Sequence, residues 1–268
     1  MSVYFEPGKR KSRKVARAFA DGCGGIMAGA PAELQPCLAA FYGVKPETAH
    51  LFEAAEKSGR DWYYIDNGYF RAGEDGYFRV TRNRIQHSGR GAPRPEDHTR
   101  LRRMGVDIAP WRPAGRHIVV CLQTEWWYRR WGRSRESWLT GVTQTLADLT
   151  DRLIVVREKP HLVRQAGMSQ PSLAEHLKDA WALVAFTSNA AVEAIIAGVP
   201  AFVDGPSAAA PMANDRLAAI EHPRRPEGRE DWAAVLAANQ WSLEEMKLGI
   251  AWKALTRDKR AAAEDEGR

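Results

Sequence analysis

Apolar and polar positions alternate along this chain in two successive series of strand-like and helix-like runs. In the first, Val3-Tyr4-Phe5 predicts a strand, Lys11 to Ala20 a helix, and Pro36 to Val44 (PCLAAFYGV) a strand-like run. Glu47 to Lys57 places Leu51, Phe52 and Ala55 at helical spacing. Asp61-Trp-Tyr-Tyr-Ile-Asp66 is aromatic and β-branched, as strands are, and Asn67-Gly68 ends it with a turn. Phe78 to Asn83 is one more strand candidate. Strands alternating with helices over the first 66 residues predict a parallel sheet. From Ser88 to Pro113 the chain is rich in Gly, Pro and Arg without an apolar period, which predicts a basic loop and linker.

The second series begins at Arg116. Strands are expected at His117–Leu122, Arg152–Arg157, Trp181–Phe186 and Pro200–Val203. Between them lie helical stretches at Ser137–Leu149, Ser172–Lys178 and Ser188–Ala197, the last closed by Gly198. Asp231 to Leu255 reads as one or two amphipathic helices carrying Trp232, Leu236, Trp241, Met246 and Trp252. The organisation expected is an α/β domain over 1–113, a second over 114–225, and C-terminal helices over 226–268.

Charge refines this picture. The net charge is +6. Residues 1–113 hold 19 Lys+Arg against 13 Asp+Glu, so they carry the whole excess, and the rest of the chain is neutral. A one-sided basic surface fits a polyanion such as DNA or RNA, or a solvated face with no partner. No run approaches the roughly 18 apolar residues of a membrane span. The first residues, Met1 to Glu6, lack the apolar core of a signal peptide, so a cytoplasmic protein without a membrane partner is expected. Cys23, Cys37 and Cys121 form no CxxC pair, so buried free thiols are expected rather than a zinc site or disulfides.

Candidate chemistry gathers at the expected C-terminal ends of the second set of strands, where open α/β sheets bind ligands. Gln123-Thr124-Glu125 follows the first strand, Arg157-Glu158-Lys159-Pro160 the second, and Thr187-Ser188-Asn189 the third. In the third, small hydroxyl and amide residues open a helix whose N–H groups suit a diphosphate. Glu193 follows within that helix, where a carboxylate can accept two hydroxyls of a ribose or sugar. Arg157 and Lys159 add positive charge for the phosphates. Taken one by one, Ser188 reads equally as a helix cap, Glu193 as a surface charge, and Arg157 as a partner of Glu158 or Asp179. Their convergence on one sheet edge favours a ligand. No GxGxxG follows a strand and no GxxxxGK[ST] occurs, which argues against a dinucleotide dehydrogenase and a P-loop kinase.

The stretch Trp181 to Gly205 (WALVAFTSNAAVEAIIAGVPAFVDG) resembles the donor-site segment of GT-B glycosyltransferases, including capsule-polysaccharide and sialic-acid-type transferases. Asp151 to Pro160 (DRLIVVREKP) is similar to their strand with a phosphate-binding basic end. Asp215 to Glu221, Asp231-Trp232 and Gln240 to Glu245 are similar to bacteriophage-encoded proteins of this group. The resemblance implies two facing Rossmann-like domains with parallel sheets, a nucleoside-diphosphate sugar (UDP-sugar favoured) in the second, no obligatory metal, and a host-cytoplasmic location if phage-encoded. It also implies that the first domain binds the acceptor and supplies a base. Asp66, at a strand end, is the first candidate and His87 the second, with an ordinary Asp-Asn-Gly turn and a loop histidine as the plain alternatives.

Nine arginines fall within 71–103, close to Tyr64, Tyr69, Phe70, Tyr77 and Phe78. Arginines bind phosphates and aromatic rings stack on an extruded base. Arg79, Arg82, Arg84 and Arg90 with Tyr69 and Tyr77 are therefore expected to hold a DNA acceptor carrying a hydroxymethylated pyrimidine, as in phage DNA glucosyltransferases. Transfer to a polysaccharide or small molecule is the alternative acceptor reading. A non-catalytic nucleic-acid-binding protein on the same fold is the alternative class.

Overall fold

The structure is a computed structural model that describes residues 1–73 and 76–265, with 258–265 described by backbone alone. The chain divides into two compact units, Met1–His87 with Ala237–Arg268, and Ser88–Leu236. The divisions expected at 113 and 225 both fall inside the second unit. The reason is local bonding: the Ala109 and Arg112 N–H groups donate to Ile196 O (2.9 Å) and Gly198 O (2.8 Å), and the Trp111 indole donates to Pro226 O (3.0 Å).

The first unit begins with β1 (Ser2–Tyr4), α1 (Arg10–Cys23), β2 (Ile26–Ala28), β3 (Ala39–Tyr42), α2 (Ala49–Lys57), β4 (Trp62–Asn67) and β5 (Tyr77–Arg82). In α1, Val15, Ala16, Phe19 and Ala20 fall on one face and are buried against Val3, Ala40, Tyr63 and Ile65. The second unit holds α3 (Pro95–Arg103), β6 (His117–Cys121), α4 (Glu125–Arg129), α5 (Arg135–Leu149), β7 (Leu153–Arg157), α6 (Pro160–Gln165), α7 (Leu173–Leu177), β8 (Ala180–Ala185), α8 (Ala190–Ile196) and β9 (Ala201–Val203). The chain then leaves it through α9 (Arg229–Ala238) and returns to the first unit as β10 (Gln240–Ser242), α10 (Leu243–Lys247) and α11 (Ile250–Asp265).

The first sheet has the order β10-β5-β4-β3-β1-β2. The strands β2, β1, β3 and β4 are parallel; β5 runs against them and pairs antiparallel with both β4 and β10. The parallel sheet expected over the first 66 residues is formed by β1, β3 and β4; β5, beyond them, runs against β4 because the chain turns straight back, without the crossover a parallel neighbour needs. The stretch expected to be purely helical at the C-terminus contributes an edge strand instead. Gln240, fully buried, locks it in place: its Oε1 accepts the N–H groups of Tyr69 (2.7 Å) and Phe70 (3.1 Å), and its Nε2 donates to Phe70 O (3.1 Å). The helix α10 lies close on α1 because Gly22 has no side chain; a Cβ there would stand 1.8 Å from Met246 O.

The second sheet, β7-β6-β8-β9, is parallel throughout. The connection from β6 runs to one side and that into β9 to the other, so the strand order reverses between β6 and β8. Open α/β sheets take their ligands at that point, beyond the strand C-termini. Ile118, Val120 and Val184 pack with Trp138, Val142 and Leu146 of α5 into one core. The short α8 lies on β8 and β9, with Ala190, Ala191, Val192, Ala194 and Ile195 buried. It stops at Gly198 (φ +76°), where a Cβ would meet Pro110 O at 2.0 Å.

The linker expected over 88–113 contains α3, opened by Arg94 and Asp97, whose side chain accepts the Arg94 N–H (2.9 Å). Within α5, Gly141 has nothing within 4 Å of where a Cβ would stand. Gly141→Ala is therefore expected to raise unfolding stability by about 0.5–1 kcal/mol through helix propensity alone, read as a higher urea midpoint at unchanged m-value.

Candidate functional site

The register of the second sheet sets the geometry of its C-terminal rim. Arg157 on β7 stands beside Cys121 on β6, and Cys121 beside Ala185 on β8. Adjacent strands are about 4.8 Å apart, so Arg157 lies only about 10 Å from the end of β8, on the same edge. The residues that follow converge further. Gln123, after β6, is buried, and its Oε1 accepts both the Thr187 N–H (3.0 Å) and the Thr187 hydroxyl (2.9 Å). This bridge ties the two loops across the point where the strand order reverses. Thr187 and Ser188 are buried, Asn189 is half-buried, and α8 opens at Asn189 without a side-chain cap on it. Ser188 Oγ accepts the Ala190 N–H (3.3 Å). Thr124, half-buried, opens α4 in the same manner, and Lys159 opens α6.

Arg157, Lys159 and Glu193 share one electrostatic environment. Burial pushes the Cys121 thiol up to about 12, against the pull of Arg157 and then Lys159. Glu193 is exposed, as a surface charge would be; desolvation by its surroundings still holds its carboxyl above the ordinary value, with Arg157 and Lys159 pulling it down. The Arg157 guanidinium donates to the main-chain oxygen of Glu158 (3.2 Å) and forms no ion pair among the described residues; its Nε is buried without a partner. The Glu158 carboxylate turns instead to Arg135. The sequence alternative of an Arg157 charge consumed by Glu158 or Asp179 is thus not the one formed. A raised carboxyl means that its ionisation opposes folding. Because Glu193 is exposed and water screens it, Glu193→Gln is expected to raise the melting temperature at neutral pH only slightly, with the gain fading as pH falls below the ordinary carboxylate range; melting curves at pH 4 and pH 7 check it.

The first-unit candidates fall differently. The Asp66 carboxylate is held by the fold: Oδ2 accepts from Arg79 Nη2 (2.8 Å) and the Tyr64 hydroxyl (3.2 Å), and Oδ1 from the Asn67 N–H (2.8 Å). Arg79 is only 2% exposed and Tyr69 only 3%, so neither presents a surface to a DNA backbone. Both were expected on the acceptor face. Burial lowers the Arg79 pKa, and Asp66, Tyr69 and Tyr64 more than offset it. Arg82 pairs with Asp61 (3.1 Å). Tyr77 and His87 are half-buried, and the His87 N–H donates to the Tyr69 hydroxyl (3.0 Å). Arg84 and Arg90 are exposed. The nine arginines of 71–103 divide between the units, with Arg71, Arg79, Arg82 and Arg84 in the first and the other five in the second. Glu74 and Asp75, two acids among them, lie outside the described residues.

A 13%-identical chain in the solved structures, Thermosulfurimonas dismutans KpsC, beta Kdo 2,4 transferase, matches with a TM-score of 0.56 over 90% of this chain and 92% of that one. The fold is GT-B-like. The same organism's KpsC, beta Kdo 2,7 transferase, matches at 16% identity and a TM-score of 0.51, over 94% and 99% of the two chains. No protein-family model matches the sequence, and no curated protein matches it. Both neighbours are transferases, and at these identities the likeness speaks for the fold of this chain.

Cys121 is buried, whereas Cys23 and Cys37 are half-buried; all three are free. Among the described residues no three His, Cys, Asp or Glu side chains gather as a metal-ligand set, and no helix is long and apolar enough to cross a membrane. Sequence reasoning missed a cavity of ≈ 430 Å³ beside α5, lined by Arg133, Trp138, Gly141, Phe202 and Asp204 among others. It is not the rim just described. None of Arg157, Lys159, Thr187, Ser188, Asn189 or Glu193 lines it; although Val203 of the Ala185 row borders it, Val184 and Phe202 line it from the face that packs on Trp138 and Val142 of α5, whereas Arg157 shares the row of Cys121 and Ala185. Successive strand residues point to opposite faces, so cavity and charged cluster lie on opposite sides of the sheet. The charge pattern, rather than the concavity, marks the strand-end rim as the place suited to an anion, because an anion is held by cations and N–H groups at a strand end.

Proposed function

We propose that this protein transfers a sugar from a nucleotide-sugar donor to a hydroxyl acceptor, with the donor phosphate held at the C-terminal rim of the second sheet. The observation that carries the reading is the Arg157 guanidinium, unpaired among the described residues and sharing its surroundings with Lys159 and Glu193 on the edge where Thr187, Ser188 and Asn189 open α8. In this reading Arg157 and Lys159 stabilise the negative charge that builds on the leaving phosphate. Glu193 accepts hydroxyls of the donor. Thr124 and the 187–189 turn shape the pocket, and the Gln123 bridge keeps its two walls in register. A GT-B-like fold supports this assignment of roles. Asp66 has no role as a base here, because all its hydrogen bonds go to the fold; His87 remains the candidate base.

A thermal-shift screen over nucleoside mono- and diphosphates and their sugars tests the proposal, since a ligand bound only by the folded state raises its stability. A selective shift with one nucleotide, absent in Arg157→Ala, is expected. No shift with any nucleotide at millimolar concentration ends it. The screen also decides whether the UDP preference holds.

For the acceptor, the names of the structural neighbours favour a saccharide hydroxyl, with Kdo as a candidate sugar. A hydroxymethylated pyrimidine in DNA rests on the basic charge of residues 1–113, and the burial of Arg79 and Tyr69 removes two of its expected contacts. A gel shift at low salt with the exposed Arg84 and Arg90 replaced by Ala separates these acceptors: retention that depends on those side chains restores DNA, and its absence leaves the saccharide.

A further inference from the structure

The cavity beside α5 belongs to the second unit alone and is not used by the nucleotide rim. Its volume lies within the range of about 300–1,000 Å³ typical of small-molecule sites. Its floor is apolar, from Trp138, Val142, Val184 and Phe202. Its polar edge is built around Asp204. The Oδ2 atom of Asp204 accepts the Trp138 indole N–H (2.9 Å) and pairs with the Arg133 guanidinium, which also lies over the Phe186 ring. Two donors thus tie Oδ2 while the side chain stays 45% exposed, and Oδ1 accepts from no group among the described residues.

A carboxylate oxygen next to guanidinium N–H groups offers one acceptor and neighbouring donors. Two adjacent hydroxyls on a ring satisfy both, one by donating to Asp204 and the other by accepting from Arg133. The apolar floor suits the C–H face of such a ring. The hydroxyls of Ser137 and Thr145 on the same wall are already used within their own helix, on Ser134 O (3.0 Å) and Gly141 O (2.8 Å). An anionic ligand fits poorly, because Asp204 and Asp215 outnumber an arginine that is already paired. A purely apolar ligand would leave Asp204 Oδ1 desolvated and unbonded.

Gly141 is the independent sign. It sits in the interior of α5, where glycine weakens a helix, and no neighbour stands within 4 Å of an added Cβ. Neither packing nor backbone conformation calls for glycine there. Its effect is to leave this wall of the cavity open.

We propose that this cavity is a carbohydrate site, taking a pyranose with vicinal hydroxyls between Asp204–Arg133 and the apolar floor, on the sheet face opposite the nucleotide rim. Saturation-transfer NMR on the full chain tests it, with methyl glucoside, methyl galactoside, methyl mannoside and uridine as probes. Transfer to the ring protons of at least one pyranoside is expected. Asp204→Asn should weaken that binding at least tenfold, Gly141→Leu should abolish it, and Arg157→Ala should leave it unchanged. The last variant separates this site from the donor proposal. Melting curves verify that the Gly141→Leu protein folds; if it does not, Asp204→Asn decides alone. Absence of transfer to every pyranoside overturns the proposal. So does binding indifferent to Asp204→Asn in a folded protein, loss of binding in Arg157→Ala, or uridine binding that responds to the cavity variants while the sugars do not.

Discussion

Arg157→Ala is expected to lower kcat/KM for sugar transfer about 10²–10³-fold with little change in stability. The magnitude is that of removing one preorganised donor from a charge that develops in the transition state. The stability expectation comes from how little the side chain does for the fold: one hydrogen bond to a neighbouring main-chain oxygen, and a buried Nε without a partner. Arg157→Lys should recover only part of the loss, because a point charge does not reproduce a planar fork of donors. The check is steady-state kinetics beside urea unfolding of the same preparations. If Arg157→Ala keeps wild-type kcat/KM, the phosphate is held elsewhere. If it loses activity and stability together, Arg157 is a structural residue and the donor assignment falls.

Asp66→Ala should destabilise the first unit by about 3 kcal/mol, the lower end of what breaking a buried ion pair costs. Arg79 is almost wholly buried, while the Asp66 side chain is 27% exposed, so water softens the loss of the pair. What remains, among the described residues, is a buried guanidinium attended by the Asn67 main-chain oxygen and the rings of Tyr64 and Tyr69. Replacing both partners by apolar residues, Asp66→Leu with Arg79→Met, should recover most of the stability, because the uncompensated charge is then gone. Urea unfolding of the three proteins measures this. A catalytic base would behave otherwise: Asp66→Ala would lose activity with an unchanged unfolding midpoint. That result would return Asp66 to the active site.

Several elements were legible from local pattern alone. The strands β6, β7, β8 and β9 are short apolar runs bounded by turn residues, and each lies within a residue or so of where it was expected. The Asp61–Asp66 run formed β4 for the same reason. Short or polar elements were not legible: β2 is only Ile26–Ala28 with Ile26 exposed, and α3 is a charged helix whose single buried apolar residue is Leu101. The strand β10 was hidden because Gln240 is polar; its burial is made possible by hydrogen bonds that include those to Tyr69 and Phe70, 171 and 170 positions earlier.

The candidate site divides in the same manner. Residue type and position at strand ends were enough to single out Arg157, Lys159, Thr187, Ser188, Asn189 and Glu193, because a parallel sheet sends all its strand C-termini to one edge. The sequence by itself thus determined the two α/β series, the parallel second sheet and the residues on its rim. The tertiary structure alone decided which charges are spent. It paired Asp66 with Arg79 inside the first unit, left Arg157 without a carboxylate among the described residues, divided the nine arginines between two units, and opened the cavity beside Gly141. The physical reason is that periodicity depends on a residue's near neighbours in the chain, whereas charge pairing and empty volume depend on groups that only folding brings together.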